Sequence, residues 1–223
     1  MRILALSDIH SEEGRLKKII EKHESDADLI LIAGDVTDFG DVDEVKKLLG
    51  CIKKPFFYVL GNCDPLNGLG GIKGLEGHYI HKRIVRFQEL HIAGLSGSGI
   101  TPFNTNIEFS EKEFSELVRS IRNEISSHFE KLILVTHEPP AGSTVGLTGR
   151  GVSVGSYALR EFIENQKPIL AICGHIHEGR GIDIIEKTVV VNPGPVRSGY
   201  YALIDIIKGG EVNVELRKLS SNH

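Results

Sequence analysis

Five short apolar runs constrain the fold of this chain more than any other feature of its sequence. Each run ends at a small or polar residue, and the runs cover residues 3–6, 29–33, 56–60, 132–135 and 169–173. Apolar runs this short, without polar alternation, are typical of strands that are buried on both faces. Parallel sheets that are covered by helices contain such strands, so we expect an α/β fold.

Helical patterns lie between these runs. Residues 12–23, 110–129 and 156–166 place apolar side chains at helical spacing, and Ser156 is a candidate N-cap for the last of them. This alternation of strands and helices predicts a largely parallel sheet. No linker or internal repeat divides the chain, so we interpret residues 1–223 as a single domain.

The pattern changes from residue 180 onward. Strand-like segments follow one another there, at residues 180–185, 188–191, 200–207 and 212–219. Turn residues separate some of them, as in consecutive antiparallel strands. We therefore expect these segments to complete a second sheet in a layered α/β fold.

Residue types that bind metal ions occur at the end of every one of the five apolar runs. In chain order they are Asp8, His10, Asp35, Asn62, His137, His175 and His177. Ligands of open α/β sheets bind outside the carboxyl ends of the strands, so these side chains are expected to converge. The pairs Asp8/His10 and His175/His177 are spaced two residues apart, and an extended backbone would point each pair to one side. Gly34, Gly61 and Gly174 precede candidates and would let the backbone turn sharply out of a strand.

The motifs together resemble the signature of the calcineurin-like metallophosphoesterases. The resemblance is carried, in the same order, by DxH at residues 8–10, GDxxD at 34–38, GNxD at 61–64, the lone His137 and GHxH at 174–177. Five ordered motifs make a specific signal, whereas a single one would mean little. The resemblance implies a four-layer α/β/β/α sandwich and a metal-dependent phosphoesterase.

The resemblance also implies a site for two divalent metal ions. Asp8, His10, Asp35 and His177 would hold the first ion, and Asp35, Asn62, His137 and His175 would hold the second. Asp35 would bridge the ions, and Asp35, Asn62 and His137 form the expected catalytic set. Imidazole, carboxylate and amide ligands without thiolates suit Mn, Fe, Ni, Zn or Mg. A hydroxide that bridges the two ions would attack phosphorus, and the ions would offset the charge of the transition state.

The chain departs from the family at Cys63. Many members have a histidine at this position, and that histidine is thought to protonate the leaving group. A neutral thiol is a poor substitute for imidazole as a general acid. We therefore expect esters with good leaving groups, with phosphodiesters slightly ahead of monoesters, or a proton from elsewhere. His78 and His81 follow a glycine-rich loop and are candidates for that proton donor.

Several other residues are weaker candidates for the site. Asp38 and Asp64 either orient a ligand or serve a local turn or helix cap, and we favour the local role. Cys63 either contacts metal or takes no part in the site, and the absence of other thiolate ligands favours the second interpretation. Arg150, Arg180 and Arg197 are candidates for binding the substrate phosphate, and each of them alone is more often a surface residue.

Charge and composition limit the classes of partner that we expect for this chain. The formal net charge is −4 and no dense Lys/Arg run occurs, which speaks against duplex nucleic acid and anionic membranes as partners. The expected partner is a small phosphate-ester substrate. A single-strand nuclease remains an alternative, as does a non-catalytic interaction scaffold, although a scaffold gains nothing from clustered carboxylates and imidazoles. Three cysteines without a close pair, and no signal-peptide core or membrane span, predict a cytoplasmic protein.

Overall fold

A computed structural model describes residues 1–125, 131–207 and 209–220 of the chain. The strands are β1 (Arg2–Leu6), β2 (Leu29–Ala33), β3 (Phe56–Val59), β4 (Arg83–Phe87), β5 (Leu90–Leu95), β6 (Ser98–Gly99), β7 (Glu108–Phe109), β8 (Leu132–Thr136), β9 (Leu170–Ile172), β10 (Gly181–Ile185), β11 (Thr188–Asn192), β12 (Tyr200–Ile206) and β13 (Val212–Lys218). The α-helices are α1 (Glu13–His23), α2 (Val42–Leu49), α3 (Glu111–Glu124) and α4 (Tyr157–Gln166). Short 3-10 turns occur at Leu66–Gly68, Thr144–Gly146, His177–Gly179 and Val196–Ser198.

The five predicted apolar runs all form strands, but they are divided between two sheets. The first sheet has the order β13-β12-β1-β2-β3, with β1, β2 and β3 parallel. The second has the order β10-β11-β9-β8-β5-β4, with β11, β9, β8 and β5 parallel. The carboxyl ends of β1, β2 and β3 in one sheet and of β8 and β9 in the other carry the predicted metal ligands.

Alternate side chains of each buried strand pack into different layers. In β1, Ile3 and Ala5 lie in the core between the sheets, whereas Leu4 and Leu6 pack with the buried faces of α1 and α2. β8 behaves in the same way, because Ile133 and Val135 face the inter-sheet core while alternate residues pack with α3 and α4. This two-residue period on both sheets produces the predicted four-layer α/β/β/α sandwich.

The tail of the chain differs from the expectation for residues 180–219. Its four segments do form strands, but they do not complete one sheet. β10 and β11 border the second sheet, where β11 runs parallel to β9, and β12 and β13 border the first sheet, antiparallel to β1. The turn Val196–Ser198 between β11 and β12 carries the chain from one sheet to the other. Both sheets thus gain an antiparallel edge.

Two of the three predicted helices begin at a capping serine, whereas α1 follows Glu12, whose side chain makes no cap hydrogen bond. Ser156 accepts a hydrogen bond from Leu159 N and caps α4 as expected. Ser110 caps α3 in a capping box with Glu113, and the described part of this helix ends at Glu124; the predicted continuation to residue 129 lies outside the described residues. Within the described part of the chain, no helix is long and apolar enough to cross a membrane.

Candidate metal centre

The loops that follow β1, β2 and β9 turn sharply rather than continuing as strands. Asp8, His10, Asp35 and His175 have left-handed backbone conformations, with φ of 53°, 45°, 48° and 67°. The expectation that Asp8 and His10, or His175 and His177, project together from an extended backbone is therefore wrong. Left-handed conformations are unfavourable for residues with a side chain, and they persist only where neighbouring structure holds them.

Backbone hydrogen bonds between the loops hold these conformations. Asp8 N donates to Gly34 O at 3.0 Å, and His10 N donates to Asp35 O at 3.0 Å. His175 N donates to the Asp8 carboxylate, Oδ1, at 3.2 Å. The loops after β1, β2 and β9 thus form one connected unit, although β9 belongs to the other sheet.

The three glycines before ligand candidates serve different purposes. Gly34 has a φ of +86° and turns the chain, as the sequence predicts. Gly61 and Gly174 instead make room for ligands. A Cβ at Gly61 would lie 2.1 Å from Asp35 Oδ1, and a Cβ at Gly174 would lie 2.7 Å from Asp8 Oδ2. At Gly61 the close approach of the Asp35 carboxylate excludes a side chain. At Gly174 the Ser7 hydroxyl lies nearer than the Asp8 carboxylate, and both groups exclude a side chain there.

The first predicted ion site brings Asp8, His10 and His177 together, with donor atoms within 4.8 Å of one another. His177 Nε2 lies 3.3 Å from Asp8 Oδ1 and 3.2 Å from His10 Nε2. Burial opposes the ionisation of Asp8, but the hydrogen bond to His177 and the charge of His137 lower its pKa overall. Burial also lowers the pKa of His10, which favours a neutral imidazole. This set offers an anionic oxygen and imidazole nitrogens to a cation.

The second predicted site contains Asp35, Asn62 and His137. His137 Nε2 lies 2.9 Å from Asn62 Oδ1 and 3.4 Å from Asp35 Oδ2. Asp35 Oδ2 also lies 3.6 Å from His10 Nε2, so one carboxylate oxygen faces both predicted sites. This is the position that a bridging ligand requires.

A divalent cation fits the chemistry of these donors. His137 Nδ1 donates to Ala33 O at 2.8 Å, so Nε2 of the neutral imidazole carries a lone pair. That lone pair faces the acceptor oxygens of Asn62 and Asp35. Converging lone pairs in a buried place repel one another unless a cation or a proton lies between them. Burial lowers the pKa of His137, but the negative charge of Asp35 has the larger effect and raises this pKa to about 10. The raised pKa also indicates that a positive charge is favoured between these groups.

His175 stands slightly apart from the other candidates. Its ring centroid lies 5.1 Å from that of His137, and burial lowers its pKa to about 4, so the ring is neutral. Among the described residues, it belongs to none of the groups of three whose donor atoms lie within 4.8 Å.

Cys63 lies at the metal centre and not at a distance from it. Its sulfur forms a group with donor atoms of His10 and Asp35 within 4.8 Å, and its backbone N donates to Asp35 Oδ1 at 2.8 Å. Burial raises the pKa of the thiol, and the charge of Asp35 raises it further. The side chain is therefore a neutral thiol beside the ligands, in agreement with the expectation that it is a poor acid.

Asp64 and Asp38, for which the sequence left two roles open, differ in burial and in hydrogen bonding. The fully buried Asp64 accepts hydrogen bonds from the backbone N of Val36, Thr37 and Gly61, so it ties the loop after β2 to the loop after β3. Its role is the local one that we favoured. Asp38 is half-exposed, and its Oδ1 lies 3.4 Å from His10 Nδ1. No hydrogen bond joins the two atoms, so this proximity does not decide between the two roles of Asp38.

The three arginines that are candidates for phosphate binding differ in their contacts with the predicted ligands. Arg150 is exposed in the turn after Thr148 and is not among the residues that line the cleft described below. Arg180 packs over the ring of Tyr200, 4.6 Å from its centroid. Arg197 is exposed, but its backbone N donates to Asp8 O at 3.2 Å, and its charge helps to lower the pKa of His10. Of the three arginines, Arg197 therefore lies nearest to a ligand.

His78 and His81 are held by the backbone of other strands. His78 Nδ1 lies 2.9 Å from Phe56 O, and its ring stacks on that of Phe56. His81 Nδ1 accepts a hydrogen bond from Ser96 N at 2.9 Å. These contacts direct both rings to the backbone and not to a predicted ligand. The structure therefore does not support either of them as a substitute acid.

Glu138 is a site residue that the sequence analysis missed. It follows His137, is almost fully buried, and its Oε2 lies 3.9 Å from His175 Nε2. Burial raises its pKa to about 7. Its Oε2 also accepts a hydrogen bond from Gly99 N at 2.9 Å. The only signal in the sequence is the acidic residue directly after a predicted ligand, and no spacing rule distinguishes it.

Two cavities lie near the loops of the metal centre. A cleft of about 800 Å³ is lined by residues that include His175, His177, Glu138, Ile100 and Phe103. A second cavity of about 620 Å³ is lined by Arg15, Lys18, Lys22 and Lys218, together with Ser198 and Gly199. The absence of a dense Lys/Arg run in the sequence did not predict this grouping of cations, because the fold brings them together from two elements. Arg15, Lys18 and Lys22 lie within α1 at helical spacing, and Lys218 lies at the end of β13.

The chain belongs to the calcineurin-like phosphoesterase family, whose sequence profile matches residues 1–179. An uncharacterised protein of Methanocaldococcus jannaschii is 31% identical over 202 residues, which cover 87% of this chain and 88% of that protein. The crystal structure of the protein TT1561 from Thermus thermophilus is similar with a TM-score of 0.74 at 16% identity, covering 96% of this chain and 97% of that one. A dimetal phosphatase from Danio rerio is similar with a TM-score of 0.63 at 13% identity, covering 92% of each chain. Members of the family use divalent metals.

Proposed function

We propose that the protein is a metal-dependent hydrolase of phosphate esters that works with two divalent ions, and that phosphodiesters are slightly favoured over monoesters. The observation that carries this proposal is the position of Asp35. Its Oδ2 lies 3.6 Å from His10 Nε2 and 3.4 Å from His137 Nε2, between two sets of donors. Asp8, His10 and His177 would hold one ion, and Asn62, His137 and His175 the other.

Two bound ions would acidify a water molecule for attack on phosphorus and would offset negative charge in the transition state. The protein prepares the ligands for this role. His137 is fixed in one tautomer, because its Nδ1 donates to Ala33 O. The Asn62 amide is fixed as well, since its Nδ2 donates to Thr105 Oγ1 at 3.0 Å and leaves Oδ1 facing His137.

The preference for diesters rests on Cys63. A neutral thiol of raised pKa is not matched to the protonation of a poor leaving group. We therefore expect rapid hydrolysis of aryl esters and slow hydrolysis of alkyl esters. The variant Cys63→His should increase kcat for an alkyl ester by about 100-fold, the lower end of the usual contribution of a general acid, and change an aryl ester little. A variant that gains nothing on alkyl esters would count against this assignment.

The central test combines metal analysis with hydrolysis. The purified protein, supplied first with manganese and then with iron, nickel, zinc or magnesium, should bind two ions per chain and hydrolyse bis(p-nitrophenyl) phosphate. His137→Ala should lose the second ion and at least about 100-fold in kcat. His78→Ala is the matched control, because it removes a histidine whose ring is held by the backbone of Phe56. Full activity of His137→Ala would refute the proposed site. Equal activity on the monoester p-nitrophenyl phosphate would contradict the proposed preference for phosphodiesters.

A single-strand nuclease is a second candidate, because of the basic cavity. Arg15 donates to the backbone O of Arg197, whose N donates to Asp8 O. The basic cavity is thus connected through Arg197 to the loop that carries the predicted ligand Asp8. The triple variant Arg15→Gln/Lys18→Gln/Lys22→Gln should abolish hydrolysis of single-stranded DNA if this function is the correct one, and should leave the small diester unaffected. If the wild-type protein does not cleave the DNA, the nuclease is excluded.

The non-catalytic scaffold is the remaining alternative, and metal analysis separates it from the enzyme. Asp8 and Asp35 are almost fully buried beside four histidines, an arrangement that destabilises a protein unless a cation compensates for it. A purified chain that binds no divalent ion, and that does not hydrolyse any ester when manganese is added, would favour the scaffold.

A further inference from the structure

The cleft beside the metal centre combines predicted ligands with an apolar loop. His175 and His177 line one part of it. Residues 99–105, which we call the rim loop, line another part with Ile100, Pro102 and Phe103. The side chains of Ile100 and Phe103 are 74% and 79% exposed. Large apolar side chains that are this exposed beside a concave site are typical of surfaces that bind a ligand.

The rim loop is attached to the metal centre at both of its ends. Gly99 N donates to the carboxylate of Glu138, the residue after His137. At the other end, Thr105 Oγ1 accepts a hydrogen bond from Asn62 Nδ2 at 3.0 Å. The loop is also held internally, because Thr101 and Thr105 both donate hydrogen bonds to Glu108 Oε1. Ile100 and Phe103 therefore stand on a fixed support beside the predicted ligands and not on a free loop.

The charges of the cleft exclude one class of substrate. Glu111, Glu138 and Glu178 line it, and no Lys or Arg does so among the described residues. A substrate group that carries further phosphates would meet carboxylates there and would find no cation. An uncharged apolar group would bury the exposed surface of Ile100 and Phe103. The basic cavity is lined by a different set of residues, which has no member in common with this cleft.

We propose that the rim loop binds the organic group of the ester, and that it selects aryl or bulky alkyl esters of a single phosphate. This inference rests on the proposed function, because it needs a phosphoryl group held at His175 and His177. Ile100 and Phe103 are then specificity-determining residues. They contact the organic group and leave the phosphoryl group to the metal centre.

Binding of phosphonates tests the inference without turnover, because their P–C bond is not hydrolysed. The manganese-loaded protein is titrated calorimetrically with inorganic phosphate, methylphosphonate and benzylphosphonate. Burying about 55 Å² of the phenyl ring at about 25 cal/mol per Å² corresponds to a factor of about ten in Kd. We expect benzylphosphonate to bind about tenfold more tightly than methylphosphonate. In Ile100→Ala/Phe103→Ala this ratio should fall below about threefold, while the Kd of inorganic phosphate changes less than about twofold.

The matched control is Ile184→Ala, which removes an isoleucine that is 67% exposed and does not line the cleft. It should keep the tenfold ratio. Equal Kd values of the two phosphonates for the wild-type protein would overturn the inference, and so would an unchanged ratio in the double variant. If inorganic phosphate itself does not bind to the manganese-loaded protein, the proposed function fails and the inference fails with it. The phosphate titration thus separates the two failures.

Discussion

The approach of Gly61 to Asp35 allows a sharp test of how the metal centre is built. A Cβ added at Gly61 would lie 2.1 Å from Asp35 Oδ1 and 2.3 Å from Asp35 N, where ordinary contact begins at 3.4 Å. The nitrogen belongs to the backbone and cannot move as the end of a side chain can. Gly61→Ala must therefore push the two loops apart by about 1 Å, a displacement of the kind that costs about 100-fold in rate when it misplaces a catalytic group.

The same displacement should reduce stability and metal binding. Overpacking of a well-packed site costs about 1–3 kcal/mol, and about 2 kcal/mol lowers the Tm of a chain of this size by about 4–8 °C. The hydrogen bond from Cys63 N to Asp35 Oδ1 should also be lost. Metal content after dialysis against manganese, calorimetric Tm and hydrolysis of bis(p-nitrophenyl) phosphate measure the three effects. We expect fewer than two ions per chain, a lower Tm and a loss of about 100-fold in kcat.

Gly70→Ala is the control for this substitution. A Cβ at Gly70 would meet nothing within 4 Å, and its φ is not positive. It should leave metal content and kcat unchanged, and it should change stability by less than about 1 kcal/mol. The reasoning would be refuted if Gly61→Ala bound two ions per chain and hydrolysed the diester at the wild-type rate.

Two further predictions concern hydrogen bonds around the site. Burial lowers the pKa of His81 to about 4 from 6.5, so its stabilising effect is present above pH 6.5 and is lost as the pH falls toward 4. Between about pH 7 and pH 5 the free energy of unfolding should fall by about 2 kcal/mol more in the wild-type protein than in His81→Asn, as measured by urea denaturation; equal slopes would contradict this. Thr105→Val removes the acceptor for Asn62 Nδ2 and should weaken binding of the second ion by about 10- to 100-fold in a manganese titration, with the first ion unaffected. Unchanged affinity for both ions would show that Asn62 needs no such support.

The sequence predicts the strands, and it identifies side chains at their ends that the fold brings close together, because both features leave a local signal. A run such as residues 29–33 is apolar throughout, since β2 is buried on both faces. Asp35 lies two residues after the end of this strand, and it is recognisable because metal-binding residue types follow the other apolar runs in the same way. The edge hairpin β4–β5 was missed for the opposite reason. β4 is half-exposed and carries Arg83 and Arg86, so its composition does not distinguish it from a loop.

The assignment of strands to sheets could not be predicted from composition. β2 and β8 are both buried apolar runs of similar composition, yet they lie in different sheets. The backbone conformations of the loops that carry the predicted ligands could not be predicted from the sequence either. A left-handed Asp8 depends on its hydrogen bond to Gly34, a residue that is distant in the chain. Such conformations are decided by tertiary contacts and not by the residue itself.

If the rim loop binds the organic group as proposed, the hydrogen bonds that attach this loop would couple substrate binding to metal binding. Asn62 is both a predicted ligand and the donor to Thr105, and Glu138 lies both beside His175 and against Gly99. Any movement of the rim loop on binding an organic group would therefore displace groups at the second predicted ion site through two separate contacts. By linkage, the affinity of the second ion should differ between saturating benzylphosphonate and saturating methylphosphonate, as measured by manganese titration in the presence of each phosphonate. A rim loop without these contacts would bind its ligand without changing the metal affinity.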